Sequence, residues 1–426
     1  MSETNGIGEE LRGHLEFVRG HSPYYRELWR EAWSGGAPPP LRELPATDHA
    51  DYWAANATGS NRLLTGPHDN GIVFKSGGTT GNPKFSFFSN EDWRTFCRVF
   101  GGGMRRGGLR AGERVANVFY GGQLYASLLF VGTCIEESGV GVNFPIAGFA
   151  SPAEILDALK EFRIDTVAGV PTTIMNLIPL LEAARGELNV TRFLYGGEAM
   201  YPDQVAALRR AVPGCRVQSV GIAGVDYGEM GWVDDTCEAG VHRAFDESTV
   251  LELLDDDGLP LDEVGAEGAL AITNFKRRLM PVVRYPVGDR GRWIDPAGTA
   301  GRRFKVLGRT EKGARIGPMT LYMEDVQRVL EASTKGAGMV AFQMVVEHED
   351  CRDRCRLRVA VSNPAQVPPE TADAVRAAFY AERPLFPHSI QDGLVHPLEV
   401  EWVVPGELQT NPRTGKLVRL LDRRQS

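Results

Sequence analysis

Hydrophobic positions change their spacing along this chain, and the changes divide it into stretches of different expected structure. Between residues 8 and 34, Leu11, Leu15, Val18, Tyr24, Leu28 and Trp33 recur near every third or fourth position. That period places them on one face of a helix. A connector rich in glycine and proline, residues 34–40, ends the run. Further on, short apolar runs alternate with amphipathic ones. Residues 115–120, 166–170, 192–195 and 216–220 read as strands; residues 152–162, 173–184 and 202–212 read as helices. Ser151 suits the start of the first, because its hydroxyl can accept from an otherwise unsatisfied backbone N–H. Ser89 or Asn90 ahead of Glu91 and Asp92 marks another helix start, with acids near the positive helix end. Strand–helix alternation of this kind predicts a largely parallel sheet covered by helices, with ligands at the carboxyl ends of its strands.

From residue 250 the pattern changes. Two β-like runs, 250–254 and 268–273, flank the turn Asp255-Asp256-Asp257-Gly258, which predicts antiparallel pairing. Residues 306–309 close this region. Three more β-like runs, 339–346, 356–361 and 398–404, alternate with helical stretches near 323–332 and 370–383, a small α+β domain. At 426 residues and 42% hydrophobic content the chain can fill two such cores. The expected fold is α/β: a large N-terminal domain (1–309) of mixed, largely parallel sheets with helices plus a β-rich subdomain, and a small α+β C-terminal domain (314–426).

Composition removes several classes. A formal net charge of -8 argues against a general nucleic-acid binder. No apolar run approaches the roughly 18 to 20 residues that span a bilayer, and the polar, acidic start is unlike a signal or transit peptide. A cytoplasmic protein without a membrane partner is the expectation. Six scattered cysteines do not make a disulfide framework. His348, Cys351 and Cys355, and likewise Cys215, Cys237 and His242, are zinc-ligand types, but their irregular spacing favours structural roles.

The candidate chemistry starts behind residues 71–74, where Lys75 leads into Ser76, Gly77, Gly78, Thr79, Thr80, Gly81, Asn82, Pro83 and Lys84. Glycines allow the backbone to turn and to present successive N–H groups to an anion. The hydroxyls and the ammonium are donors for phosphate oxygens. The order G-x-x-x-x-G-K-[S/T] is absent, so this is not a Walker A loop, and composition alone also fits a polar hairpin loop. Four other segments bear on it. They are Tyr195-Gly196-Gly197-Glu198-Ala199, Ile222-Ala223-Gly224-Val225-Asp226, Arg284-Tyr285-Pro286-Val287-Gly288-Asp289 and Thr410-Asn411-Pro412-Arg413-Thr414-Gly415-Lys416.

In this order and at these intervals, the set resembles the adenylate-forming superfamily of acyl-CoA synthetases, adenylation domains and luciferases, over nearly the whole chain. It looks most like the phenylacetate–CoA ligase branch, near the phenazine-pathway aryl-acid adenylating proteins. The resemblance implies a hinge at 310–313, following Gly308-Arg309, and a mobile C-terminal domain. It implies that Ser76, Gly77, Gly78, Thr79, Thr80, Gly81 and Lys84 hold the ATP phosphates and that Gly197 and Glu198 sit beside adenine. Asp289 and Arg309 would lie at the ribose, Asp226 would bind magnesium, and Lys416, with Thr80 and Lys84, would act in catalysis. Tyr120, Gly121, Gly122, Tyr125, Pro171, Ile222 and Ala223 are the expected acyl-site residues; Thr172 and Met175 are further candidates.

The sequence departs from the family pattern where Tyr-Gly-x-Thr-Glu is usual. Ile222 to Asp226 lacks the aromatic and the hydroxyl, and a shifted register would put Glu229 at the metal. The segment Arg315-Ile316-Gly317 stands where a glycine loop lines the acceptor tunnel, with neighbours unlike the common pattern. The implied activity is ATP-dependent conversion of a carboxylic acid, an aryl acid foremost, to an acyl-adenylate with pyrophosphate release. Transfer to a thiol follows, with CoA as acceptor; Mg2+ and ATP complete the cofactor set. Two alternatives stand beside it: transfer to a carrier-protein phosphopantetheine or a partner reductase, and a degenerate nucleotide-binding homologue. A homodimer is compatible with either.

Overall fold

Ser22 and Pro23 break the N-terminal helical run. Helix α1 (Ser2–His21) ends there and α2 (Pro23–Leu28) begins, with the Ser22 hydroxyl accepting from Tyr25 N. Proline costs nothing at the first helical position, where its missing N–H has no partner to lose. Leu15, Val18, Tyr25 and Trp29 are buried in one cluster with Tyr52, Tyr285 and Phe304. The computed structural model describes residues 2–76, 84–197, 200–255, 257–309, 313–334, 339–361, 363–409 and 417–424. They form two compact units, one drawn largely from the chain up to Gly308 and the other largely from Arg309 onward.

In the larger unit, α3 (His49–Ala55) precedes a hairpin of β1 (Ile72–Ser76) and β2 (Lys84–Phe88). Helix α4 (Asn90–Arg106) follows, closed by a capping box between Ser89 and Asp92. Strands β3 (Arg114–Asn117), β4 (Val142–Pro145), β5 (Thr166–Gly169), β6 (Arg192–Tyr195) and β7 (Arg216–Ser219) form a parallel sheet in the order β4-β3-β5-β6-β7. Helices α5 (Ser127–Glu137), α6 (Pro152–Glu161), α7 (Pro171–Asn176), α8 (Ile178–Ala183) and α9 (Pro202–Ala211) lie between them in the chain. Every residue of β5 is buried, as a central parallel strand requires. Helix α4 packs on α5 at Gly101, where a Cβ would come within 2.3 Å of the Cys134 carbonyl oxygen.

The same unit holds a seven-stranded sheet. Its members are β8 (Ile222–Gly224), β9 (Gly228–Trp232), β10 (Val241–Ala244), β11 (Thr249–Leu254), β12 (Glu267–Asn274), β13 (Val282–Trp293) and β14 (Arg303–Arg309), ordered β11-β12-β13-β14-β10-β9-β8. The β11–β12 pairing is the antiparallel one expected around residues 255–258. Two sequence expectations shift. The strand at 115–120 ends at Asn117, and the glycine-containing turn at 222–226 begins as strand β8, with the turn itself only at 225–227.

The smaller unit opens with the hairpin β15 (Gly313–Ile316) and β16 (Met319–Tyr322), followed by α10 (Met323–Ser333). Strands β17 (Met339–Glu349), β18 (Arg352–Val361), β19 (Glu399–Val403) and β20 (Leu420–Asp422) form a sheet in the order β19-β18-β17-β20. Helices α11 (Glu370–Glu382) and α12 (Leu385–Gln391) lie between β18 and β19 in the chain. Here the His348–Cys351–Cys355 set resolves into structural contacts. Asp353 accepts from His348 Nδ1 at 3.0 Å, from Gly317 N at 2.8 Å and from Arg424 at 2.9 Å, while Cys355 is buried in the core. Among the described residues, no group of three or more His, Cys, Asp or Glu side chains is arranged to hold a metal ion, and no helix is long and apolar enough to cross a membrane.

Candidate active site

The parallel sheet reverses its build direction between β3 and β5, because β4 was added on one side of β3 and β5 on the other. The crevice beyond the carboxyl ends of two such strands is where open α/β sheets take ligands. The loop leaving β3 meets helix α7, which follows β5, there: Thr173 Oγ1 donates to Tyr120 Oη at 3.1 Å. Phe149 meets the Tyr120 ring edge-on, 5.0 Å between centroids, and a Cβ on Gly148 would come within 2.7 Å of that ring. Tyr120 is thus held on its ring and at its hydroxyl.

The loop continues through a tight turn in which Tyr125 N donates to Gly122 O at 2.8 Å. Its two central residues, Gln123 (φ 50°) and Leu124 (φ 67°), occupy the left-handed region without being glycine. The Leu124 carbonyl accepts from Lys75 N at 2.9 Å, joining this loop to β1 just before the glycine-rich segment. Gly121 is half-buried, while Gly122 and Tyr125 are exposed. Pro171 is buried and opens α7. Gly197 (φ 79°) lies just past β6, its Cβ position 3.5 Å from Val170 beyond β5. Ile222 and Ala223 are half-buried on β8, paired with β9.

A second cluster forms around the hairpin. Ser76 and Lys84 are register partners, so the segment 77–83 connects two paired strand ends. The Lys84 ammonium stands 3.2 Å from His49 Nε2 and 5.5 Å from the centre of the Trp53 ring. Both residues come from α3, whose first turn is capped by Asp48. Trp53 Nε1 donates to Tyr285 Oη at 3.0 Å, and Tyr285 Oη donates to Asp226 Oδ2 at 3.3 Å. Burial first, and then the Asp226 carboxylate beside it, push the Tyr285 phenol well above its ordinary range, so it stays a proton donor. Behind the turn, Arg277 Nη1 donates to the carbonyls of Val225 at 2.9 Å and Asp226 at 3.0 Å.

The chain of contacts therefore brings Lys84 and Asp226 to the two ends of one Trp53–Tyr285 bridge. Asp289 is half-buried further along β13, after Gly288 (φ 85°), where the β12–β13 register is irregular. Arg309 ends β14. Gly77, Gly78, Thr79, Thr80, Gly81, Glu198 and Lys416 lie outside the described residues, as do residues 310–312 of the expected hinge at 310–313. Glu229, the alternative metal residue, is wholly buried on β9 and held by Asn274 Nδ2 at 3.1 Å. Asp226, half-buried in the turn, is the accessible carboxylate of the two.

Sequence reasoning missed His49, Trp53 and Arg277. Nothing in their local pattern marks them: two lie on a short helix well before the glycine-rich segment, and Arg277 sits among other basic residues. Tyr285 stood inside a segment already singled out. Its phenol next to a carboxylate-bearing strand was the one available signal.

This geometry can be set beside known proteins. No protein-family model matches the chain. A phenylacetate–coenzyme A ligase of Thermus thermophilus is 28% identical to it across 98% of this chain and 96% of the relative. The chain is thus similar, along nearly its whole length, to a phenylacetate–CoA ligase, a member of the adenylate-forming superfamily. The ligase of the same name from Pseudomonas putida is 25% identical over 76% of this chain and 75% of its own. Among solved structures, a 2-hydroxyisobutyryl-CoA ligase in complex with its adenylate and CoA superimposes with a TM-score of 0.73, covering 100% of this chain and 90% of that one at 21% identity. At that identity it shows the adenylate-forming fold, α/β with a parallel sheet and helices.

Proposed function

We propose that this chain is an AMP-forming carboxylate–CoA ligase acting on an aryl acid. The carboxylate oxygen attacks the α-phosphorus of ATP, the bond to the β-phosphate oxygen breaks and pyrophosphate leaves. The CoA sulfur then attacks the acyl carbon, the bond to AMP breaks, and the thiol proton passes to solvent. Two anions meet in the first step, so the protein must supply cations and fixed donors and must position the reactants. The observation that carries the reading is the bridge from Lys84 through Trp53 and Tyr285 to Asp226. It sets an ammonium at the end of the phosphate hairpin and a carboxylate at the neighbouring turn.

Magnesium fits this site in one mode. A single accessible carboxylate is too little for a protein-only cage, but Mg2+ is commonly held by one or two carboxylates plus substrate phosphates and water. Asp226 would hold it, and the ion would neutralise charge on the phosphates. Tyr285 orients the carboxylate and stays protonated while doing so. Tyr120, pinned by Thr173 and Phe149, offers a rigid ring for an aryl group at the sheet's switch point.

The test is carboxylate-dependent ATP–pyrophosphate exchange across a panel of aryl and alkyl acids, followed by addition of CoA. Exchange with aryl acids and release of free acyl-CoA and AMP is expected. Exchange that stalls at the adenylate when CoA is present would move the acceptor to a carrier protein or reductase. No exchange with any acid would leave a nucleotide-binding homologue.

A further inference from the structure

Arg277 is a fully buried cation whose arrangement the reaction as described does not use. Its side chain is 3% exposed and makes no ion pair among the described residues. Burying an arginine without a hydrogen-bonded carboxylate is costly, because the charge gives up its hydration; the charges of Asp92, Asp226 and Glu229 offset only part of that loss. The dipoles it does gain are specific: one terminal nitrogen donates to the carbonyls of Val225 and Asp226, at 2.9 and 3.0 Å. The guanidinium also lies 4.1 Å from the centre of the Phe88 ring, on the strand that carries Lys84. Nε and Nη2 have no partner among the described residues, and Arg277 lines a cavity of about 10 Å3 shared with Glu229, whose Oε1 is likewise unpartnered. That space is small enough for one water at most.

A residue kept for packing alone would not need this charge. A methionine or leucine fills such a site without the desolvation cost. What the arginine adds is a rigidly held terminal nitrogen, Nη1, that fixes two consecutive peptide carbonyls, and those peptides set where the Asp226 carboxylate leaves the backbone. We propose that Arg277 is the positioning residue for Asp226: it holds the backbone of the 225–226 turn while Tyr285 holds the carboxylate. This rests on the proposed metal role of Asp226 and deepens it.

The test uses Mn2+ as the probe. Its affinity for the full-length protein with a non-hydrolysable ATP analogue is read by electron paramagnetic resonance, beside AMP affinity and melting temperature. Arg277→Met should keep or raise the melting temperature, yet weaken Mn2+ about tenfold, as loss of a residue supporting a metal ligand does. AMP affinity should hold. Arg277→Lys restores the charge but not the planar, rigid guanidinium that holds Nη1 in place, so it should fall between wild type and Arg277→Met. Wild-type Mn2+ affinity in Arg277→Met overturns the proposal, as does a fall in melting temperature without a fall in Mn2+ affinity. If Arg277→Met does not fold, wild-type Mn2+ affinity in Arg277→Lys overturns it instead. Asp226→Asn separates the two levels. Unchanged Mn2+ affinity there removes the metal role itself, whereas loss there with none in Arg277→Met removes only the positioning.

Discussion

Tyr285 links two polar partners that are far apart in the chain, accepting from Trp53 at 3.0 Å and donating to Asp226 at 3.3 Å. Replacing it with phenylalanine keeps the buried ring and removes both bonds, leaving the indole N–H without its acceptor. We expect Tyr285→Phe to lower the rate of ATP–pyrophosphate exchange about ten- to a hundredfold, with little change in the apparent KM for the acid. An equal change in the acid's KM would place Tyr285 in the acyl pocket instead. Glu229 presents a different residue-scale problem. Burial pushes its carboxyl up to about 7, opposed by Ser248 and Asn274 and aided by Glu247. A carboxyl raised above its unfolded value favours the folded state when protonated. That contribution is complete below the unfolded pKa and is lost as pH rises to about 7. The whole loss is on the order of 3 kcal/mol. Glu229→Gln keeps an acceptor for Asn274 and cannot ionise. It should melt higher than wild type at pH 8 and nearly level with it at pH 4.5; a difference independent of pH would show that folding leaves the Glu229 pKa at its unfolded value.

Element α1 carries the second linkage, and its sign is reversed. His14 shares the buried face with Leu15 and Val18, is 2% exposed, and has no partner for either ring nitrogen among the described residues. Burial, and then Arg278, lower its pKa to about 3. The unfolded chain therefore takes up a proton that the folded chain refuses, and stability falls as pH drops below about 6.5. At pH 5 the cost is about 2 kcal/mol. His14→Leu, expected to pack on the same face, should remove that acid limb: its melting temperature should fall less than wild type's between pH 8 and pH 5. The position also shows what sequence patterns carry. The helical period around Leu11, Leu15 and Val18 was legible, and so were the capping residues Ser89 and Ser151, because both signals are local. The hairpin at β15–β16, strand β4 and strand β20 were not, since each is short and gains its stability from neighbours distant in the chain. The candidate site divides along the same line. The segments bearing Lys84 and Asp226 could be picked out by composition. Their bridge could not, because Trp53 contacts Tyr285 across 232 positions.

For the whole molecule, the two reaction steps make different demands, and Lys416 offers a way to separate them. Adenylation brings a carboxylate against a polyphosphate, so an ammonium placed between them would lower a barrier made of like charges. Thiolysis has no such encounter: a neutral acyl carbon meets a sulfur nucleophile, and negative charge builds only on the departing AMP phosphate as its bond to the acyl carbon breaks. The resemblance gives Lys416 to the first step and gives the hinge at 310–313 the task of exchanging one arrangement for the other, a few residues absorbing a change in dihedral angles. Lys416→Ala should therefore abolish carboxylate-dependent pyrophosphate exchange while leaving conversion of a supplied acyl-adenylate and CoA to acyl-CoA within a few-fold of wild type. A proline at Lys312 should give a different pattern, slowing the complete reaction more than exchange alone, because only the complete reaction needs both arrangements in each turnover. If Lys416→Ala loses both half-reactions equally, the lysine serves binding or folding rather than the adenylation step. If it loses neither, the adenylating cation must be sought elsewhere, with Lys84 as the first candidate because it already stands beside His49 and Trp53.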